Sequence, residues 1–274
     1  VTEIDTAFKP VFAILRAEVL FVNFASGSRG NSSLVSSSHA NLIIDCGISL
    51  RRLITELQKL RLSLTSSVTV LITHLHNDHF KHFPSWYEKT TFKFLVPKGA
   101  VAQVRKLLGE HSPNPRIEVF EPLGAFALGN LVIEAFPLAH DAPETVGISI
   151  HADDKSLSYL TDLGSLDEVL LPYLEKKDLL FLEANHEPKL VQACPYPEYV
   201  KRRILSPYGH LSNSQAVFIL SKLKSPPQNL ILGHLSQTNN SPEFVLERLR
   251  SYKMLAGFNT VQVASQDKIT KVLL

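Results

Sequence analysis

Short runs of apolar and β-branched residues recur along the chain and are separated by polar turns. Runs of about four to eight residues of this kind are typical of buried β-strands. Ten such runs predict strands, at residues 19–24, 41–45, 68–73, 92–96, 131–136, 146–151, 157–161, 179–183, 229–233 and 260–264. Most of them follow one another closely, with helices interspersed, so the pattern predicts two packed sheets covered on the outside by helices.

Three segments show the pattern of an amphipathic helix. In residues 51–60 the three leucines and the isoleucine fall on one helical face. Residues 212–224 begin with capping residues ahead of an apolar stripe, and residues 241–252 have the same form. The sequence contains no internal repeat, no low-complexity tract and no linker.

The composition allows a large core and limits the function classes. The chain has 274 residues, 45% of them hydrophobic, which suits one large α/β domain or two smaller ones. A net charge of +2 gives no overall field that would favour nucleic acid or membrane, so any anion site must be local. No segment approaches the roughly 20 apolar residues of a membrane-spanning helix. Cys46 and Cys194 form no C-x-x-C pair and the N-terminus makes a poor signal peptide, so the expected location is the cytoplasm.

The sequence THLHNDHF, at residues 73–80, carries the strongest chemical signal and directly follows a predicted strand. His74 and His76 would point the same way in an extended backbone, so both could reach one ion. The adjacent Asp78 and His79 would diverge toward a second ion. Imidazole and carboxylate are preferred ligands of borderline divalent metals, and this one turn therefore predicts ligands for two metal ions. The alternative is a set of exposed loop histidines, which suits a lone histidine better than four ligand-type side chains in one turn.

Further ligand-type side chains follow other predicted strands. His140, Asp162 and His234 each end an apolar run, as the first cluster does. An aspartate can bridge two ions about 3.5–4 Å apart, and Asp162 is the candidate for that position. Taken singly, each of these residues could equally be a capping aspartate or a satisfied histidine.

The motifs THLHNDH, PLAHDAPETVG, YLTDLG and LGHLS, in this order and spacing, resemble the successive motifs of the metallo-β-lactamase fold superfamily. The resemblance implies an α/β fold, a four-layer αββα sandwich, formed by residues 19–274 as a single domain. Residues 1–18 fall outside the resemblance and are expected to be an N-terminal extension.

The same resemblance implies a dinuclear metal site with two divalent ions, zinc or manganese. It implies that one ion is held by His74, His76 and His140, the other by Asp78, His79 and His234, with Asp162 bridging them. Asp45, in the motif LIIDCG, would support the ligand turn from beneath. An ordinary aspartate at a strand end is the alternative for Asp45.

Two loops offer candidate substrate-binding residues. The sequence FASGSRGNSS, at residues 24–33, places glycines among small hydroxyl residues, and its backbone N–H groups could cradle a phosphate. A plain turn is the alternative. The candidates in this loop are Ser26, Gly27, Ser28, Gly30 and Asn31. The second loop follows the predicted strand at residues 179–183, and its candidate is Asn185.

Two further motifs, FLEANHEP at residues 181–188 and YGHLSNSQA at residues 208–216, are similar to motifs of the tRNA 3′-processing endonuclease branch. By that resemblance His210, oriented by Glu183, is the general acid near the leaving group. Asp78 would orient the bridging water or accept its proton. His186 is a further candidate catalytic residue.

Taken together, the motifs are most similar to the bacterial YycJ/WalJ-like group of single-domain exonucleases. Members of that group are described as degrading DNA from a 5′ end. The resemblance implies a hydrolase that cleaves phosphodiester bonds with a hydroxide bridging two metals, and a nucleic acid partner, DNA, with no membrane partner.

Three alternatives stay open at this point. The first is an RNA-processing nuclease of the tRNA 3′-endonuclease type. The second is a small-molecule thioester or lactone hydrolase, which would use the same metals without a leaving-group histidine. The third is a non-catalytic, metal-bound binding module. The sequence does not choose between zinc and manganese, or between DNA and RNA.

Overall fold

The computed structural model describes residues 18–64, 67–109 and 114–274. The predicted N-terminal extension, residues 1–18, therefore lies outside the described residues except for Glu18. Within the three described ranges, no helix combines the length and the apolar character that crossing a membrane requires.

The described residues form fourteen strands and eight α-helices. The strands are β1 Leu20–Ala25, β2 Ser32–Ser36, β3 Asn41–Ile44, β4 Val68–Leu71, β5 Lys93–Pro97, β6 Ile117–Phe120, β7 Ala125–Leu128, β8 Leu131–Pro137, β9 Val146–Ala152, β10 Lys155–Leu160, β11 Leu179–Glu183, β12 Asn229–Gly233, β13 Thr260–Val263 and β14 Thr270–Leu273. The α-helices are α1 Leu50–Leu60, α2 Asn77–Phe80, α3 Phe83–Lys89, α4 Val101–Leu108, α5 Pro188–Ala193, α6 Glu198–Ile204, α7 Asn213–Lys222 and α8 Pro242–Ser251. Short 3₁₀ turns occupy Lys98–Ala100, Glu168–Tyr173 and Leu255–Gly257.

The strands form two mixed sheets of seven strands each. The first has the order β14-β1-β2-β3-β4-β5-β6 and the second the order β13-β12-β11-β10-β9-β8-β7. In each sheet one half is antiparallel and the other half, β3 to β6 or β10 to β13, is parallel. The prediction of two sheets is confirmed.

The buried side chains form three layers, one between the two sheets and one between each sheet and its outer helices. The sandwich therefore has four layers, namely helices, sheet, sheet and helices. Between the sheets, the ring of Phe181 lies 5.8 Å from that of Phe21 and 4.6 Å from that of Tyr159. Outside the first sheet, α1, α3 and α4 bury side chains such as Trp86. Outside the second sheet, α7 and α8 bury side chains such as Leu249. Burial of each large apolar side chain stabilises the fold by about 1.5–3 kcal/mol, and the predicted αββα sandwich is confirmed.

The three predicted helices begin where their capping residues stand. The Ser49 side chain accepts a hydrogen bond from the Arg52 N–H ahead of α1. Ser212 and Gln215 form a capping box at the start of α7, and Ser241 caps α8. These side chains accept hydrogen bonds from N–H groups that have no partner inside the helix, so the hydroxyl residues indicate helix starts in the sequence.

The sequence analysis missed β2, the short edge strands and the shorter helices. The sequence SSLVS of β2 is rich in serine, yet the whole strand is buried. Its polar groups find partners inside the fold, because Ser33 Oγ accepts from Asn23 Nδ2 and Ser32 Oγ donates to the Asp45 carbonyl. Hydropathy alone does not reveal such pairing.

Strand direction places the predicted site residues at one edge of the sandwich. In the first sheet β1, β3 and β4 all run the same way. In the second sheet β8, β10, β11 and β12 do so. Since their carboxyl ends meet at one edge of each sheet, the residues that follow these strands come together there.

Candidate metal centre

The structure brings all seven predicted ligands together at this edge. The ligand-type atoms of His74, His76 and His140 lie within 4.8 Å of one another. Those of Asp78, His79, Asp162 and His234 do so as well. The first set is called the histidine group below, and the second the mixed group. The chain thus offers two adjacent sets of donors of the types that borderline divalent metals prefer.

Three strand ends reach the site through left-handed backbone. Asp45, Asp162 and His234 have φ angles of 64°, 61° and 55°. For residues other than glycine this conformation costs about 1–3 kcal/mol and persists only where the surroundings enforce it. It occurs here at three residues whose side chains take part in the same cluster, which is typical of a functional site.

The histidine group consists of imidazoles that are ready to act as ligands. Burial lowers the pKa of His74 well below its ordinary value, and burial also lowers the pKa of His76 and of His140. His140 Nε2 lies 3.1 Å from His76 Nδ1. The Nε2 atom of His74 is buried and has no hydrogen-bond partner within the described protein. A buried nitrogen without a bonding partner is energetically unfavourable, and a divalent cation bound to this nitrogen would remove that cost.

The carboxylate of Asp162 lies between the two groups. Its Oδ2 atom is 2.9 Å from His79 Nε2 in the mixed group. Its Oδ1 atom is 3.7 Å from His140 Nε2 in the histidine group and 3.7 Å from His234 Nε2. One carboxylate therefore faces donors from both groups, as a bridging ligand must.

The mixed group pairs buried carboxylates with imidazoles. Burial alone would raise the pKa of Asp162, but His234 and His79 hold it well below the ordinary value. Burial alone would lower the pKa of His234, but Asp162 and the other acidic neighbours of His234 raise that pKa to about 10. The pKa of His79 is raised for the same reason. A divalent cation at these nitrogens must displace protons, so metal binding is expected to release them.

Polar groups behind the ligands fix the orientation of the rings. The Asp45 carboxylate lies 2.7 Å from His79 Nδ1 and accepts hydrogen bonds from the N–H and the hydroxyl of Thr73. The carbonyl of Gly209 lies 2.9 Å from His140 Nδ1 and accepts a hydrogen bond from it. Both contacts leave the Nε2 atoms of the two histidines directed at the cluster, as is usual for histidines that bind metals.

Glu183 supports two histidines at once. Its Oε1 atom lies 2.8 Å from His210 Nδ1 and 3.1 Å from His234 Nδ1. Its Oε2 atom accepts a hydrogen bond of 2.8 Å from the Leu163 N–H. Burial alone would lower the pKa of His210, but the Glu183 carboxylate raises that pKa above its ordinary value. The sequence analysis assigned Glu183 to His210 alone.

Two predicted substrate-binding residues hold the backbone of His234. The Ser26 hydroxyl accepts a hydrogen bond of 2.7 Å from the His234 N–H. The Asn185 side chain donates one of 2.8 Å to the His234 carbonyl. Both side chains are buried, so these two residues fix a predicted ligand. Their contact with substrate stays a prediction.

The rest of the glycine and serine loop is tied to the ligand turn. The Asn31 Nδ2 atom lies 3.3 Å from Asp78 Oδ2, and the Asn31 Oδ1 atom accepts a hydrogen bond from the Gly27 N–H. The Gly30 N–H donates to the Gly27 carbonyl, and Ser28 is exposed. A Cβ at Gly30 would lie 2.3 Å from the Gly47 carbonyl oxygen, so this position requires glycine. The N–H groups of Gly27 and Gly30 serve the protein itself, and phosphate binding by this loop stays a prediction.

His186 is not a member of the groups of potential metal ligands found in the described residues, although Glu183 and His210 act on its ring. Burial lowers its pKa to about 4, and its Nδ1 atom has no hydrogen-bond partner within the described protein. Its backbone carbonyl accepts from the Asn213 N–H at the start of α7. The structure does not bring His186 into the cluster, and its catalytic role stays a prediction.

Asp141 was not predicted from the sequence as a residue of the site. Its Oδ1 atom lies 3.4 Å from His140 Nε2 and 3.6 Å from His76 Nε2. The Arg203 guanidinium donates a hydrogen bond to each oxygen of this carboxylate, and the bond to Oδ1 is 3.0 Å long. The one signal in the sequence is a carboxylate directly after a predicted ligand.

Comparison with known proteins agrees with the fold. The family model described as "Beta-lactamase superfamily domain" matches residues 40–235. Exodeoxyribonuclease WalJ of Streptococcus pneumoniae is 31% identical over 80% of this chain and 82% of its own length. Exodeoxyribonuclease YycJ of Bacillus anthracis is 26% identical over 81% of this chain and 84% of its own. The Zn²⁺-bound PqqB of Methylobacterium extorquens shares the fold, with a TM-score of 0.68 and 16% identity over 92% of this chain and 99% of that one.

Proposed function

Because the chain belongs to the β-lactamase superfamily, and within it to the group of YycJ and WalJ, we propose that it is a nuclease that degrades DNA from 5′ ends. It is a metal-dependent hydrolase. Nuclease activity is supported by the chemistry of its site, and DNA as the substrate by the names of the two relatives. Both cysteines are free thiols, which supports an activity in the cytoplasm.

The residues present fit two divalent cations. The histidine group would hold one ion and the mixed group the other, with Asp162 between them. The buried, unpartnered Nε2 atom of His74 and the close-set carboxylates both suit a cation. Two such ions supply a water of lowered pKa and neutralise charge on the attacked phosphoryl group.

The position of His210 is the observation that supports cleavage of phosphodiesters most strongly. Its Nδ1 atom faces Glu183, which leaves Nε2 for a substrate. Glu183 raises its pKa, which favours the protonated ring that can donate a proton to the departing oxygen. The ring also lies near the cluster, since Nδ1 is 3.6 Å from Asp162 Oδ1. An alkoxide of a sugar needs such a proton, whereas a thiolate leaves readily without one.

Asp78 is the group that can accept a proton from the attacking water. Burial alone would raise its pKa, but the neighbouring His79 and His234 lower it, so the side chain is a carboxylate. The side chain is 20% exposed, whereas that of Asp162 is 2% exposed. Of the two, Asp78 is therefore the one that faces solvent, from which a substrate approaches.

End-labelled substrates test this function. Chain loaded with zinc or manganese is incubated with linear DNA labelled at either end, with circular DNA and with RNA of the same sequence. We expect 5′-labelled DNA to release its label at once in a short product, and 3′-labelled DNA to give a shrinking ladder. Circular single-stranded DNA should resist. Release of the 3′ label first, cleavage of the circle, or cleavage of RNA alone would contradict the proposal.

A further inference from the structure

Helix α6 and the loop after it, residues 205–209, form one rim of the metal centre. The Gly209 carbonyl accepts the hydrogen bond of His140 Nδ1. The guanidinium of Arg203, near the end of α6, grips the carboxylate of Asp141 beside the same histidine. The loop then leads directly into His210, whose N–H donates to the Ile204 carbonyl. This rim therefore touches the histidine group and also carries the proposed general acid.

The backbone of this loop is held firmly. A Cβ at Gly164 would lie 2.5 Å from Gly209 N and from the Pro207 carbonyl oxygen, so the two chain segments are in direct contact. The Ser165 hydroxyl donates a hydrogen bond of 3.0 Å to the Pro207 carbonyl. The Gly209 N–H donates to the Ser206 carbonyl within the loop. Gly164 follows Asp162 by two residues, so the loop is fixed to the segment that carries the bridging carboxylate.

Tyr208, at the tip of this fixed loop, is exposed. Its relative accessible surface is 61%, and that of Tyr199, on α6, is 73%. A large aromatic side chain usually buries its ring, and exposed aromatic rings beside a site are typical of contact surfaces. A rigid backbone presents such a ring with little loss of entropy on binding, and nucleobases stack on rings of this kind.

The rim that carries the Tyr208 ring also carries positively charged side chains. The Arg203 side chain is 55% exposed, and Arg202 is exposed as well. Asp141 holds the guanidinium of Arg203 beside the histidine group through Nε and one terminal nitrogen. Among the described residues no protein group accepts a hydrogen bond from the other terminal nitrogen, which can therefore bind an anion, and arginine suits phosphate oxygens in particular.

We propose that Tyr208 and Arg203 form a nucleotide-binding ledge, in which the ring stacks on a base near the strand end and the guanidinium binds a phosphate. An exposed aromatic ring and a cation on the same rim suit a base and a phosphate, which are joined in a nucleic-acid strand. The occupant is a single-stranded end of nucleic acid. The inference rests on the proposed function and adds how that site selects unpaired ends.

The test compares an intact DNA strand with one whose 5′-terminal nucleotides are abasic. Wild-type enzyme should show a KM roughly five- to hundredfold higher for the abasic strand, because each stacked base contributes about 1–3 kcal/mol. Tyr208→Ala should raise KM for the intact strand by a similar factor and respond little to removal of the bases. Tyr208→Phe should restore the difference. Arg203→Gln should raise KM for both strands by roughly tenfold or more.

Matched controls lie on α8 and at the residue that follows it, outside this rim. Tyr252 is 53% exposed and Arg250 is exposed, and neither belongs to the proposed machinery. Tyr252→Ala and Arg250→Gln should match wild type on both strands. Bis(p-nitrophenyl) phosphate, a phosphodiester without a base, serves as a reference, and the ratio of its kcat/KM to that of DNA should rise in the ledge variants.

The possible failures are distinguishable. If wild-type enzyme cleaves DNA but Tyr208→Ala still discriminates the abasic strand as wild type does, the ledge is wrong and the proposed function stands. An equal loss on DNA and on bis(p-nitrophenyl) phosphate also overturns the ledge, because it indicates damage to the metal centre. If the wild-type chain hydrolyses the small phosphodiester and no nucleic acid, both proposals are wrong.

Discussion

Asp162→Asn is expected to lower phosphodiesterase turnover by about a thousandfold or more. The substitution keeps the shape of the side chain but removes the negative charge that faces donors of both groups, 2.9 Å from His79 on one side and 3.7 Å from His140 on the other. Without that charge the two proposed cations would lose their shared ligand. The measurement is kcat for linear DNA and for bis(p-nitrophenyl) phosphate, and both should fall together.

Asp167 provides the control for this variant. It is an exposed aspartate five positions further on, and its side chain caps the 3₁₀ turn Glu168–Tyr173. Asparagine caps such a turn as well as aspartate does, so Asp167→Asn should fold and turn over like wild type. Thermal unfolding of each variant separates loss of chemistry from loss of fold. Near wild-type turnover in folded Asp162→Asn would contradict the bridging role.

His210→Ala is expected to slow cleavage of DNA by about a hundred- to ten-thousandfold, the usual contribution of a positioned general acid. Hydrolysis of bis(p-nitrophenyl) phosphate should fall far less, because p-nitrophenolate leaves without a proton. The two substrates share the metals and differ in the leaving group, so their ratio isolates the proton transfer.

The pH profile gives a second reading of the same variant. The pKa of His210 is raised by Glu183, and in the proposed role of general acid the protonated form is the active one. Cleavage of DNA should therefore persist above the ordinary histidine pKa and fall as pH rises through the raised value. His210→Ala should lack this alkaline limb. His39→Ala, at an exposed histidine in the turn between β2 and β3, is the matched control. An equal loss on both substrates would favour a role in the structure of the site over proton donation.

The apolar runs predict the two sheets, the resemblance of the motifs to the metallo-β-lactamase fold superfamily predicts the ligand set, and the structure supplies the physical reason why these residues meet. His140, Asp162 and His234 each follow an apolar strand, and strands that run in the same direction end at the same edge of a sheet. The order of apolar runs therefore indicates the strands and the polar residues at their ends, whereas the convergence of those ends is implied by the resemblance.

The supporting contacts could not be predicted in this way. Ser26 and His234 lie 208 positions apart, and their hydrogen bond exists only because the ends of β1 and β12 meet across the two sheets. Glu183 contacts His234 in addition to the predicted His210 because β11 lies beside β12. The position of Asp141 depends on Arg203, a residue of a helix that the sequence analysis missed. Such contacts depend on packing between remote segments, which periodicity does not report.

The metal content of the purified chain tests the central claim most directly. The chain is stripped with a chelator, loaded with zinc or manganese, freed of excess metal and measured by elemental analysis together with protein concentration. The two adjacent groups predict two ions per chain in the wild type and fewer in Asp162→Asn. A wild-type chain that retains one ion or none, under conditions where it is folded and active, would contradict a centre of two ions joined by Asp162.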